Sequence, residues 1–124
     1  IVTGAYRIDD TAPNAVSQIV TCIAAGISVG IGFFCDTAFM NWNFTSDGPI
    51  DTVNTMDSQG GGHWVSFDAY DTTSSGAYVL GGPNSWGTAW GIRGRFEVTE
   101  NWFRRAVSDS IPFAQLNSPL QEAA

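Results

Sequence analysis

Two segments of this 124-residue chain carry side chains that can do acid–base chemistry together. Segment 61–65 (GGHWV) presents the imidazole of His63, and segment 84–91 (NSWGTAWG) presents the carboxamide of Asn84. An imidazole can act as a general base near neutral pH, and a carboxamide oxygen that accepts from one ring nitrogen fixes the tautomer without adding charge. A lone histidine is more often an ordinary strand residue, but its combination with Asn-Ser-Trp-Gly favours a site. The sequence therefore predicts a general base and its orienting partner.

Alternation of apolar and polar residues predicts the strand that carries the imidazole. Over 63–70 this pattern places His63 on the same face as two apolar side chains and Trp64 on the opposite face. Residues 95–98 alternate in the same way and predict a final strand, followed by a short helical turn at 101–103.

The carboxamide should lie at the end of a returning strand. A polar, glycine-containing turn at 71–76 and an apolar stretch at 77–80 predict a hairpin. The run 81–83 (GGP) should interrupt that strand, because proline cannot donate to a ladder. Asn84 is therefore expected just beyond a strand end.

The N-terminal third predicts a strand, a helix and a second strand. Tyr6–Ile8 is a short strand candidate, and the oxygens of residues 9–11 could cap a helix that starts near Pro13. Gly26 stands where a left-handed C-terminal cap is needed, and 27–34 alternates as a strand on which the helix should pack. The apolar face of this helix consists of Val16, Ile19, Val20 and Ile23.

The chain length fits one domain with a modest core. Segment 36–62 is rich in polar residues and glycine, and we interpret most of it as loop. We expect one domain over 1–107 and an irregular C-terminal tail over 108–124, which contains two prolines.

Composition and charge narrow the classes of function. Hydrophobic residues make up 44% of the chain, so a packed fold is expected. Five basic residues, all arginine, stand against twelve acidic ones, giving a net charge of -7. This balance argues against a nucleic-acid or anionic-membrane surface as partner.

The sequence also gives expectations about location. The chain has no apolar run of the roughly 18 residues that a membrane span needs and no basic-then-apolar leader, so we expect a soluble protein. It begins at Ile1, which suggests a piece of something longer. The absence of lysine with modest acidity fits an extracellular or virion protein.

Several of these segments together resemble one known family. The segments 61–65 and 84–91, followed by 94–98 (GRFEV), are similar to the C-terminal half of papain-like cysteine peptidases, and the Asn-Ser-Trp-Gly-Thr-x-Trp-Gly element is specific. Residues 24–31 (AAGISVGI) resemble the part of the family that precedes the histidine strand. The similarity covers roughly residues 6–104.

The resemblance implies both a fold and a site. The fold would be α+β, a mainly antiparallel twisted sheet or partial barrel with one packed helix. His63 would be the general base and Asn84 its orienter, with Trp86 covering the bond between them and Ser85 and Gly62 supporting the site. The resemblance also implies that the substrate is a polypeptide and that no cofactor or metal is needed.

The nucleophile of the resemblance is missing from its expected place. In the family the cysteine precedes the histidine by about 130 to 150 residues, which lies before Ile1. Neither Cys22 nor Cys35 has the family's combined surroundings, in which a glutamine lies a few residues upstream and an aromatic residue directly follows the cysteine at a helix start. These two cysteines could form one disulfide or remain two buried thiols. We expect the chain alone to be inactive and the nucleophile to lie on another segment or chain.

Three further positions depart from the family pattern. Trp64 stands where a small residue is common and could narrow or cover the cleft, and Asp68 places a charge at a usually apolar strand position. The run 81–83 replaces the apolar strand that normally delivers the asparagine. By contrast Trp90 fits a role as a core aromatic residue.

Three hypotheses about function follow. The chain could be the C-terminal half of a cysteine peptidase that works with an N-terminal half or companion chain. It could be a catalytically inactive papain-like module, used for structure, binding or assembly in an extracellular or viral setting, which would tolerate His63→Ala. It could also assemble with itself, because a half-fold leaves an apolar cleft wall unpaired.

Overall fold

The computed structural model describes residues 6–44, 48–54, 56–57, 60–108 and 114–117. These residues form seven strands and three helices. In chain order they are β1 (Tyr6–Ile8), α1 (Ala15–Ala24), β2 (Ser28–Cys35), α2 (Thr37–Met40), β3 (Gly61–Phe67), β4 (Ala69–Thr72), β5 (Tyr78–Pro83), β6 (Arg95–Thr99), α3 (Glu100–Ser108) and β7 (Ala114–Asn117).

The strands form two antiparallel sheets. The first has the order β1-β7-β2-β3 and the second the order β4-β5-β6. Antiparallel sheets combined with separate helices make an α+β fold, so the α+β prediction is confirmed. Neither sheet closes into a barrel. The two sheets share one core, whose largest fully buried side chains include Trp102, Phe33, Phe39, Phe67, Phe96 and Phe103.

The register between β2 and β3 places the imidazole. His63 lies opposite Phe33, and Trp64 lies opposite Gly32. Because successive side chains alternate between faces, His63 points to the core side of the sheet and Trp64 to the outer side. Burial agrees with the predicted alternation, since Val65 is buried and Trp64 is exposed.

Helix α1 confirms the predicted end and corrects the predicted beginning. Its N-cap is Asn14, which makes no side-chain capping hydrogen bond, whereas Asp9 accepts from the backbone N–H and the hydroxyl of Thr11 in a local turn. At the other end Gly26 has φ +80°, and the N–H of Ile27 donates to the carbonyl of Cys22 at 2.9 Å. This is a Schellman cap, which only a residue tolerant of positive φ allows without strain.

Most of segment 36–62 was expected to be loop, but its described residues include the helical turn α2. The Asp36 carboxylate caps this turn by accepting from the N–H of Phe39 at 2.8 Å. Further along, Ile50 donates to Glu97 and accepts from Thr99, both at 2.9 Å, which ties the segment to β6.

Strand β5 runs through the glycines that were expected to interrupt it. The strand extends from Tyr78 to Pro83, and Asn84 follows directly, so the position of Asn84 at a strand end is confirmed while the interruption is wrong. A Cβ atom on Gly82 would overlap the carbonyl oxygen of Ser66 in β3. Glycine at this position therefore allows β5 to cross close to β3.

The C-terminal part holds two further differences from the sequence-based expectation. The short turn expected at 101–103 is a full helix, α3, whose Trp102, Phe103 and Ala106 are buried, so a second helix packs on the core besides α1. Within the tail expected to be irregular, Ala114–Asn117 forms β7 between β1 and β2, which is a correction. The division at residue 107 stays a prediction.

Across the ranges that the structure describes, none of the helices combines the length and the apolar character that crossing a membrane requires.

Replacing Gly82 by alanine should destabilise the fold, because the added methyl group would overlap backbone of β3. We expect a loss of about 1–3 kcal/mol in the free energy of unfolding, measured by urea denaturation. Gly62→Ala is the matched control, since its Cβ would find only Phe34 Cε1, at 3.9 Å. Equal stabilities of the two variants would contradict the crossing as described.

Candidate active site

The structure brings the two predicted site residues into direct contact. Nε2 of His63, in β3, lies 2.8 Å from Oδ1 of Asn84. Asn84 is held at the end of β5, where its N–H donates to the carbonyl of Gly94 at 2.8 Å. The contact therefore depends on the approach of β5 to β3.

The hydrogen bonds of Asn84 assign the imidazole tautomer. Its Oδ1 also accepts from the N–H of Ser85 at 2.8 Å, so the carboxamide oxygen, and not its nitrogen, faces His63. Nε2 of His63 is then the donor, and Nδ1 keeps a lone pair that can take up a proton. Nδ2 of Asn84 is buried and has no hydrogen-bond partner among the described residues, so the side chain is oriented through its oxygen.

Trp86 lies against one face of the imidazole. The ring centroids of Trp86 and His63 are 4.6 Å apart, and their planes differ by 23°. The indole remains 38% exposed, so it stands between the imidazole and solvent. This is the geometry that a covering residue would need, because it limits the access of water to the hydrogen bond.

Two buried rings contact the imidazole as well, and the sequence analysis missed their role. Phe33 meets His63 edge-on at 5.9 Å, and Phe39 of α2 does so at 6.4 Å. Phe39 also meets Trp86 edge-on at 5.8 Å. The available signal was Asp36, whose position three residues before Phe39 is typical of a helix N-cap.

The loop between β5 and β6 is anchored by Trp90. Its indole nitrogen donates to the carbonyl of Met40 at 2.8 Å, and its ring packs on Phe39 and Trp42. Gly94 donates to the carbonyl of Trp90 at 2.8 Å, which closes the loop. Trp90 thus packs as the core aromatic residue that was expected.

The other two predicted supporting residues contribute less contact. Ser85 is exposed and takes part through its backbone N–H. Gly62 lies opposite Phe34 and borders no atom that would forbid a side chain. Their supporting role stays a prediction.

Neither cysteine has the surroundings of a nucleophile. Both are free thiols, so of the two alternatives left open by the sequence the structure shows separate thiols. Burial, together with the neighbouring Asp36 carboxylate, raises the pKa of Cys35 to about 12, and burial also raises the pKa of Cys22. A cysteine attacks as thiolate, so a raised pKa opposes reactivity.

Trp64 and Asp68, which differ from the family pattern, lie outside the contact between His63 and Asn84. Trp64 is 46% exposed and lines a groove of about 460 Å³ together with Gly30 and Ser85. Asp68 forms a bidentate salt bridge with Arg95, which raises the pKa of the guanidinium through that hydrogen bond. The charge at position 68 is therefore paired at the surface between β3 and β4.

Comparison with known proteins gives one curated relative and many similar structures. No model of a known protein family matches the chain. The chain is 26% identical over 117 residues to an uncharacterized peptidase C1-like protein of Acanthamoeba polyphaga mimivirus, a match that covers 86% of this chain and 37% of the relative. The chain thus spans little more than a third of the relative's length.

The similar structures include cysteine proteases. The recombinant stem bromelain precursor matches with a TM-score of 0.68 and 16% identity, covering 94% of this chain and 36% of that chain. The Amb a 11 cysteine protease of ragweed pollen, in its proform, gives a TM-score of 0.65 and 16% identity over 94% of this chain and 33% of that one. Xylellain, a cysteine protease of Xylella fastidiosa, gives a TM-score of 0.62 and 20% identity, covering 94% of this chain and 40% of that chain.

These similarities confirm the predicted fold at partial coverage. The chain has a papain-like fold and is similar to the C-terminal half of papain-like cysteine peptidases, each of which is much longer than this chain.

The tautomer of His63 can be measured directly, because it is the single histidine of the chain. We expect ¹⁵N NMR of the neutral imidazole to show Nε2 protonated and Nδ1 unprotonated. Asn84→Ala should speed exchange of the Nε2–H proton and move the Nε2 resonance towards that of a free histidine, because it removes the acceptor, whereas Asp71→Asn in β4 should leave both unchanged. A wild-type imidazole protonated mainly at Nδ1 would contradict the assignment.

Cys35 of the folded chain should resist alkylation. With a pKa of about 12 and a buried side chain, almost none of this thiol is available as thiolate at pH 8. We therefore expect no stoichiometric labelling of Cys35 by iodoacetamide, and none of either cysteine by an epoxide-type cysteine peptidase probe, both followed by mass spectrometry. The urea-unfolded chain is the control and should react with iodoacetamide at both cysteines. Stoichiometric labelling of Cys35 by iodoacetamide, or of either cysteine by the epoxide, in the folded chain would show that a thiol here is activated.

Proposed function

We propose that this chain supplies the general base and its orienting residue to a papain-like cysteine peptidase. His63 is the base, Asn84 orients it, and the reaction is hydrolysis of a peptide bond. The observation that carries the proposal is the 2.8 Å hydrogen bond between Nε2 of His63 and Oδ1 of Asn84, beneath a stacked indole.

The tautomer gives each nitrogen of His63 its task. Nδ1, with its free lone pair, takes the proton from a cysteine thiol, and the resulting imidazolium stabilises the thiolate. The thiolate attacks the peptide carbonyl carbon and forms a thioester as the C–N bond breaks, while the same nitrogen returns the proton to the leaving amine. A water molecule that gives a proton to Nδ1 then hydrolyses the thioester and frees the cysteine sulfur. Asn84 holds the ring throughout by accepting from Nε2–H, and it adds no negative charge that would compete with the thiolate for the imidazolium.

The nucleophile in this proposal comes from another segment or a companion chain. The raised pKa values of Cys22 and Cys35 argue against either thiol in that role. The greater length of the curated relative leaves ample chain to carry a cysteine and the donors of an oxyanion hole.

The substrate class follows from the proposed chemistry. It is a polypeptide, and the groove lined by Trp64, Gly30 and Ser85 is a place beside the site where part of it can lie. Since Trp64 stands on the opposite face of β3 from His63, its bulk shapes this groove and lies on the side of the strand away from the imidazole.

The test uses the natural protein, isolated with every segment and companion chain that it carries. We expect it to cleave fluorogenic peptides, and we expect His63→Ala to lower kcat/KM about 10²- to 10⁴-fold, because proton transfer is lost. Asn84→Ala should cause a smaller loss. Ser17→Ala on the exposed side of α1 is the control and should retain activity.

Two outcomes would overturn the proposal. One is a folded natural protein that neither cleaves peptides nor reacts with an epoxide-type probe, which would favour the inactive structural or binding module. The other is peptidase activity that survives His63→Ala.

A further inference from the structure

A buried carboxylate outside the contact of His63 and Asn84 joins two segments of the chain. Asp36 is 2% exposed, and each of its oxygens accepts one backbone N–H. Oδ1 accepts from Phe39 at 2.8 Å, and Oδ2 accepts from Asn54 at 2.9 Å. The side chain therefore fixes the first turn of α2 against the loop that leads to β3.

Helix α2 cannot hold its position by itself. It has four residues, far below the length at which an isolated helix is stable in water. At its C-terminal end the carbonyl of Met40 accepts from the indole of Trp90, and at its N-terminal end the carboxylate of Asp36 supplies the cap. The Asp57 carboxylate also accepts from the N–H of Thr37 at 3.1 Å. The placement of α2 thus depends on these end contacts together with the packing of the buried Phe39.

The residue that α2 positions is Phe39, which lies under the site. The ring is 1% exposed, and its edge-on contacts reach both His63, at 6.4 Å and 63°, and Trp86, at 5.8 Å and 82°. A shift of α2 therefore moves the surface on which the imidazole and the indole rest. Protein interiors are close-packed, so such a shift is transmitted and not absorbed.

We propose that Asp36 is a positioning residue of the site: by clamping α2 to Asn54 it holds Phe39 against His63 and Trp86 and so maintains the hydrogen bond of His63 to Asn84. The effect on catalysis rests on the proposed function, but the effect on the imidazole does not.

The side-chain chemistry explains why a carboxylate is needed here. Two N–H groups approach the two oxygens, and a carboxylate offers acceptors on both. An asparagine can satisfy only one of the two donors and would turn its own NH₂ group towards the other. Asp36→Asn therefore breaks the clamp with almost no change in volume.

The test measures the His63 side chain in the 124-residue chain by ¹⁵N NMR, with unfolding followed separately. We expect Asp36→Asn to speed the exchange of the Nε2–H proton with solvent at least ten-fold relative to wild type and to move the Nε2 resonance towards that of a free histidine. Asp71→Asn makes the same change of charge in β4, away from α2, and should leave both the exchange rate and the resonance at their wild-type values. A loss of stability alone would not move the Nε2 resonance of molecules that remain folded.

A second variant covers the case in which Asp36→Asn does not fold. Phe39→Leu keeps the cap and most of the volume but removes the aromatic edge, and it should also speed exchange of the Nε2–H proton and move the Nε2 resonance in the same direction. A wild-type exchange rate and resonance in a folded Asp36→Asn variant, or in Phe39→Leu where Asp36→Asn is unfolded, would overturn the inference.

The natural protein provides an independent readout. If it is an active peptidase, Asp36→Asn should lower kcat about ten-fold and change KM less than two-fold, because ring placement and not substrate binding is disturbed. An inactive wild-type protein would count against the proposed function while leaving the NMR result for Asp36 intact, so the two failures are distinguishable.

Discussion

The close crossing of two strands is the constraint on which the site depends. Strand β5 passes so near β3 that Gly82 has no room for a side chain beside the carbonyl of Ser66. Asn84 lies two residues beyond this crossing on one strand, and His63 lies three residues before it on the other. The backbone contact therefore limits the distance between the carboxamide and the imidazole, whichever rotamers the two side chains adopt.

A layer of aromatic rings then limits how the imidazole can turn. Phe33 and Phe39 meet it edge-on from the core, and Trp86 stacks on it from the solvent side. Edge-on and stacked contacts have preferred geometries, so together they favour one ring plane. Asn84 then selects between the two ring orientations in that plane, because only one nitrogen of the imidazole can reach its carboxamide oxygen.

The sequence predicted those parts whose signal is local. Alternation located β2, β3 and β6, and a glycine at the end of an apolar helix face located the C-terminus of α1. It also paired His63 with Asn84, although their contact required a structure. It missed the parts that depend on distant neighbours: β5 continues through Gly82 because the approach of β3 outweighs the usual weakness of glycine in a strand. The single turn that carries Phe39 is too short to show a helical period.

Strand β7 has a consequence for the order in which the fold can form. It lies between β1 and β2, so the pairing of β1 in the first sheet passes through residues 114–117. During synthesis on the ribosome, Tyr6–Ile8 must wait for more than a hundred later residues before its partner strand exists. The hairpin of β4 and β5 needs no such delay, because its partners are close in sequence. The second sheet can thus start to form while the chain is growing, whereas the first is completed last, which is the slow step expected of long-range pairing.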